Sequence, residues 1–366
     1  MPKENQVTLS TTQFTFTIYK TQIGIAILTI PRELVEISGW DAIISMTFGW
    51  LVALIIGFLV IHVMKNNPNE TIYEILPKYF GKWIGKSLCV IWILYSFLIA
   101  TVILLTTVDI ICLWILPNTP TFLIMLSFII PIYMLIQRGL QAIGRFAEIA
   151  YLITIWMPLI LLVSLKNGQW LNLLPVIKEG WLPIFQFIKL TAPAFLGFEI
   201  IFVLYPFLEK KKEAAKGFFI ANTLTLVIYL FALLICYIRF SQAEIRAFIW
   251  PTLNLLKLIQ FPFLERLEII FLSFYIIILL MSVVPYFYMS LMGVNRLFHK
   301  KKHIPLLPMV CFIWLIIPFI KSPSYFDVIV IGNVTRTITN IVTLLMTTIL
   351  YLYSYFYRWL KKERVP

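Results

Sequence analysis

The sequence predicts an all-α integral membrane protein: ten transmembrane helices in a five-plus-five inverted repeat, with the first and sixth helices discontinuous. Three observations carry that prediction. Of the 366 residues, 61% are apolar and only 13% are charged, and the mean hydropathy is +0.92. A soluble domain covers its surface with roughly a quarter charged residues. Ten apolar runs approach the roughly twenty residues that a spanning helix needs. Two of those runs, the first and the sixth, carry helix breakers near their middles.

The runs lie at 11–36, 40–64, 84–116, 120–137, 145–165, 184–208, 216–240, 266–293, 304–320 and 332–357. They form one membrane domain over 1–366, with repeat one at about 11–165 and repeat two at about 184–357. The first run reads "YKTQIGIAILTIPRE"; Gly24 lies near its middle and Pro31 follows seven residues later. The third run is too long for a perpendicular helix and is expected to tilt strongly. Its Tyr95 and Ile99 are four residues apart and share a face, with Thr106 roughly on that side. The depth of Asp109 depends on that tilt; a place at the outer interface, the preferred reading, makes it a solvated end. Arg145 and Glu148 open the fifth run at the spacing of an intrahelical pair and are read as an inner-gate clamp.

The sixth run reads "KLTAPAFLGFEIIFVLYP", with Gly197 near its middle and Pro206 nine residues on. Glu199 either caps the unwound segment or binds a cation or a ligand amine; the capping role is favoured because a carboxylate is stabilised at a half-helix N-terminus. Lys20 and Lys189, near the first turns of the half-helices, are expected to snorkel. The eighth run offers Tyr275, Ser282 and Tyr286, spaced seven and four and so on one face. Before it, 241–265 is amphipathic, holds Pro251 and Pro262, and reads as a lid. Glu265, Arg266 and Glu268 lie where that lid enters the span; Arg266 pairs with a carboxylate and pins the lid, or the three form a solvated face.

Loop charges set the orientation. With the N-terminus in the cytoplasm, the inner loops hold Lys65, Lys78, Lys82, Lys86, Arg138, Arg145, the run Lys210, Lys211 and Lys212, Lys216, Arg296 and Lys300 to Lys302. The outer loops are poorer. Both termini are therefore expected inside. The net charge of +13 points to anionic lipid and away from nucleic acid, since the basic residues lie in short loops between spans. No cleavable signal peptide is expected.

The two breaks imply a site. Unpaired backbone groups are costly in lipid, so a break persists where a ligand, water or protein lines it. Half-helix N-termini offer N–H groups to a carboxylate, and C-termini offer carbonyls to an ammonium. A zwitterionic amino acid satisfies both. The predicted pocket takes backbone contacts from Gly24, Ile25 and Ala26 and from Phe195, Leu196, Gly197 and Phe198. Tyr95, Ile99, Ser282 and Tyr286 add side chains, with Ile99 and Leu196 limiting ligand size. No cofactor or metal site is expected: the three histidines lack nearby partners, the four cysteines are scattered without a CxxC pair, and neither a Walker motif nor an enzyme constellation occurs.

The stretches "IGIAILTIPRE", "GKWIG", "GRFAEI", "FLGFEIIFVLYPFLEKKK" and "IWPTLNLLKLIQFPFLERLE" resemble the B subunits of GerA-type spore germination receptors, a branch of the amino acid–polyamine–organocation superfamily with a LeuT-like fold. The resemblance covers nearly the whole chain, and Gly24 and Gly197 match the family's break positions. It implies a membrane subunit of the endospore inner membrane that works with an A subunit and a lipoprotein C subunit. In that role a small nutrient, such as an amino acid, binds the transporter-like pocket and triggers germination. It also favours a pinning or subunit-contact role for Glu265, Arg266 and Glu268. Proton-coupled members of the superfamily often carry a lysine in the fifth span, and none occurs here between Glu148 and Lys166. Three readings stand: a ligand-sensing subunit, a coupled amino-acid symporter, and a scaffold without ligand.

Overall fold

The computed structural model of the chain describes residues 8–173, 194–259, 266–298, 306–320 and 325–362. Among these every regular element is helical, and the one β-type pairing is an isolated bridge between Leu9 and Leu208. The first span is two helices, α1 (Thr11–Ile23) and α2 (Ala26–Ser38). Ser10 starts α1 with a capping box: its hydroxyl accepts from the Gln13 backbone, and the Gln13 side chain returns to the Ser10 amide. The helix ends because Gly24 takes φ +23°, in the left-handed region that side chains disfavour.

Then follow α3 (Ala42–Asn66), α4 (Ile72–Phe80), α5 (Lys82–Trp114), α6 (Thr121–Arg138) and α7 (Leu140–Thr154), which continues through α8 (Met157–Ile160) into a 3-10 turn to Asn167. The fifth span thus begins five residues before the sequence expectation. The amphipathic α4 was not expected. Its signal is in the sequence: Thr71 and Glu74 form a capping box, and Arg296 holds Glu74 at 3.1 Å.

The sixth span is described from Ala194, so Lys189 and the first part of the predicted run lie outside the described residues. Gly197 has φ +120°, a 3-10 turn covers Phe198–Ile200, and α9 (Ile201–Leu204) ends in a second turn at Pro206. After α10 (Ala214–Arg239) come two short helices, α11 (Gln242–Ala247) and α12 (Pro251–Lys257), then α13 (Leu267–Leu297), α14 (Leu306–Ile320) and α15 (Tyr325–Lys362). Seven segments are long and apolar enough to cross a membrane alone. The α1–α2 pair and the shorter apolar stretches Phe198–Phe207 and Leu307–Pro318 complete the ten spans.

Packing places the broken spans at the centre. Helix α1 lies against α7, α10 and α13, and α13 makes its most extensive contact with α5. The short helices α11 and α12 lie over α2. A specific bond fixes them. Pro31 has no N–H, so the carbonyl four residues earlier, at Ile27, loses its helical donor. The Thr252 hydroxyl of α12 donates to that carbonyl at 2.8 Å. Arg266 bonds Glu268 at 3.2 Å and also donates to the Trp114 carbonyl, tying the start of α13 to the end of α5. Glu265 lies outside the described residues.

Candidate ligand-binding site

The two breaks face each other. A Cβ built on Gly197 would stand 3.0 Å from the Gln22 backbone nitrogen and 3.1 Å from the Thr21 carbonyl carbon. A cavity of about 200 Å³ opens beside this junction. Gly24, Ile25, Ala26, Ile99, Leu196 and Tyr286, all singled out from the sequence, line it. So do Thr21, Gln22, Val102, Ile103 and Ala194, and from α15 Gly332, Thr335 and Thr339.

The other predicted contacts sit behind that wall. Phe195 packs its ring against Tyr229, with centroids 5.6 Å apart, and Phe198 packs against Phe218. Ser282 donates to the carbonyls of Lys20 and Ile278 at 3.2 and 3.1 Å. Thr106 bonds its own helix at Val102. Tyr95 and Tyr286 converge on Glu199, whose side chain is fully buried. Tyr95 donates to it at 3.0 Å, Tyr286 at 2.5 Å, and the Gly197 amide at 2.8 Å. Glu199 therefore caps the unwound segment and knots the third, sixth and eighth spans; Thr343 of α15 joins through Tyr95 at 3.0 Å.

The carbonyls exposed by the breaks are occupied. Tyr229 donates to the Gln22 carbonyl at 2.7 Å and to that of Ala194 at 3.1 Å. Tyr275 donates to that of Gly24. The Gln22 amide donates to the Phe195 carbonyl at 2.6 Å and to Asn222 at 3.0 Å, and its oxygen accepts from Thr225 at 2.9 Å. Each of these carbonyls thus already accepts one bond, from a tyrosine hydroxyl or the glutamine amide, and keeps a second lone pair. Gln22, the hub of this lattice, was missed, although a carboxamide two residues before a breaker inside an apolar run is its own signal.

Three further expectations change. Lys20 does not snorkel: it is 2% exposed, its Nζ donates to Thr154 of α7 at 2.5 Å, and it lies 5.2 Å from the Tyr19 ring centre and 5.9 Å from that of Tyr151. A lysine amino group thus reaches the fifth span from the first, where the fifth span has no lysine of its own between Glu148 and Lys166. Arg145 and Glu148 do not pair; Glu148 accepts from Thr12 at 2.5 Å and from Gln13 at 3.3 Å. Asp109 is only partly solvated: the residue is half-buried, and one of its carboxylate oxygens is enclosed without a protein partner.

One end of the molecule is latched. Leu9 bonds backbone to backbone with Phe207 and Glu209 at 2.8 and 3.0 Å, and Thr11 donates to Glu213 at 2.6 Å. Beside the latch a polar cleft of about 1050 Å³ is lined by Lys210, Lys211, Lys212, Arg296, Glu209 and Glu213 among others. Among the described residues no group of His, Cys, Asp and Glu is placed to hold a metal ion.

The family described as "Spore germination protein" matches residues 8–326. Spore germination protein YndE of Bacillus subtilis (strain 168) is 29% identical over 301 residues, 80% of this chain and 82% of that protein. Spore germination protein GerQB of Bacillus cereus is 28% identical over 282 residues, 77% of each chain. Among solved structures, MhsT in complex with L-phenylalanine superposes with a TM-score of 0.66 at 13% identity, covering 93% of this chain and 87% of its own. Mhp1, a nucleobase-cation-symport-1 family transporter in a closed conformation, gives 0.64 at 12% identity, covering 94% and 78%. The fold is therefore that of the LeuT-like transporters.

Proposed function

Since the chain belongs to the spore germination protein family, we propose that it is the transporter-like subunit of a germinant receptor, binding a small nutrient of amino-acid chemistry between the broken first and sixth spans. One observation carries this reading: the cavity of about 200 Å³ is walled by both breaks at once, with Gly24, Ile25 and Ala26 on one side and Ala194 and Leu196 on the other. Ile99, Val102 and Ile103 supply an apolar wall, which suits a small or aliphatic side chain. In this proposal the subunit sits in the spore inner membrane with both termini in the cytoplasm. It works with an A subunit and a lipoprotein C subunit, which the resemblance to GerA-type receptors supplies.

A proton- or sodium-coupled amino acid symporter is the second reading. The observation that favours it is Lys20, an ionisable side chain buried between the first and fifth spans. The deciding experiment uses purified protein in liposomes with a panel of radiolabelled amino acids, following equilibrium binding and timed uptake. Saturable binding without accumulation supports the sensor. Accumulation driven by a proton or sodium gradient makes the chain a symporter. Gly197→Trp is the control: it is expected to insert into the membrane and lose binding, and full binding by that variant overturns the pocket.

A further inference from the structure

The polar side chains lining the cavity have already used their hydrogens. The Thr21 hydroxyl donates to Thr17, that of Thr335 to Ile331 and that of Thr339 to Thr335, each at 2.7 Å. Tyr286 donates to Glu199. Both hydrogens of the Gln22 amide go to Phe195 and Asn222. A threonine or tyrosine hydroxyl has one hydrogen to give and lone pairs left to accept. Among the described lining residues there is no lysine, arginine, histidine or tryptophan. The side-chain wall therefore accepts hydrogen bonds and donates none.

We infer that Thr335 and Thr339 of α15, with Tyr286 of α13, form an acceptor-only wall that selects a ligand bearing a primary ammonium group, and that these threonines are specificity-determining residues. The inference rests on the pocket reading above. An ammonium has three donors and no acceptor, the complement of this wall. A carboxylate turned toward it meets only lone pairs, so a ligand's carboxylate is left to the backbone N–H groups of the break. The buried Glu199 strengthens the choice: a hydroxyl that donates to a carboxylate becomes a better acceptor, and Tyr286 does so at 2.5 Å. The carbonyls of Gln22, Gly24, Ala194 and Phe195 each already accept from a protein donor, one Tyr229 hydrogen being shared between Gln22 and Ala194. The wall on the tenth span thus adds side-chain acceptors to the second lone pairs of those carbonyls.

The test compares matched ligands on the full-length chain in liposomes. Alanine, valine and leucine are each set against two analogues, the carboxylic acid lacking the amino group and the N-trimethyl derivative, which keeps the charge but has no N–H. At least one amino acid is expected to bind saturably, with both of its analogues about tenfold weaker or worse. Thr335→Val and Thr339→Val are expected to shrink that ratio about tenfold together, while Thr335→Ser and Thr339→Ser keep it, with thermal unfolding confirming that each variant is folded. Equal binding of the N-trimethyl analogue, or an unchanged ratio in the valine variants, overturns the acceptor wall and leaves the pocket standing. Absence of saturable binding by all three amino acids overturns both.

Discussion

Two glycines and one carboxylate decide the centre of this protein. Gly24 and Gly197 both hold φ values that side chains resist, but their surroundings differ. A Cβ at Gly24 meets the Ser282 hydroxyl at 3.0 Å, a side chain that can rotate away, whereas at Gly197 it meets backbone atoms of the first span. Gly197→Ala is therefore expected to cost more than Gly24→Ala, on the order of 1–3 kcal/mol from conformation alone, read as the difference in thermal unfolding in detergent. Glu199→Gln sets an amide N–H₂ against two tyrosine hydroxyls and the Gly197 amide, all donors. About 1–3 kcal/mol of stability and most ligand binding are expected to go, and Glu199→Asp, which keeps the charge, is expected to recover part of both. The glycines and the shared face of Tyr95 and Ile99 were legible because breakers and helical spacing are local signals. That Tyr95 and Tyr286 meet at Glu199, Tyr95 behind the cavity wall and Tyr286 in it, was not, since three separate spans have to fold together before those groups are neighbours.

Among the elements, the tenth span shows what a hydropathy reading loses. Thr335, Thr339, Thr343 and Thr347 recur every four residues on α15 and are all buried. Hydropathy averages them away, while helical periodicity puts them on one face toward the cavity and Tyr95. The short helices were hidden differently. Helix α4 has only nine residues and falls below any spanning length, yet its capping box marks it. Thr71→Ala is expected to cost roughly 1 kcal/mol and to loosen α4 first, visible as faster hydrogen exchange over Ile72–Phe80. Helix α11 carries the same motif. The Ser241 amide and hydroxyl hold the Glu244 carboxyl below its usual range. A depressed carboxyl stabilises its helix above its ordinary titration range, and that contribution is lost as pH falls through the lowered value. Acidification below the normal carboxylate range is therefore expected to fray Gln242–Ala247 and to weaken its cover over α2, again read by hydrogen exchange.

At the scale of the whole molecule, sequence and structure agree on ten spans with breaks in the first and sixth, because apolar length and breaker position are both written along the chain. What needed the fold was closure. Helix α1 is held at one end by Glu148 and Glu213 and by the pairing of Leu9 with residues on either side of Leu208. The Leu9 and Glu209 amides are expected to exchange slowly, and Glu148→Ala to speed them without changing amides of the central helices. Helix α5 has 33 residues and α13 has 31. At about 1.5 Å per residue each is close to 50 Å long, against roughly 30 Å of hydrocarbon, so the excess is taken up by tilt or by projection into water. Both helices furnish the cavity, α5 through Ile99, Val102 and Ile103 and α13 through Tyr286. A bilayer that thickens or thins changes their preferred inclination and with it the spacing of those walls. On the pocket reading proposed above, the lipid is then a thermodynamic effector in its own right: the affinity of the pocket is expected to vary with acyl-chain length, read as ligand binding in bilayers of graded thickness.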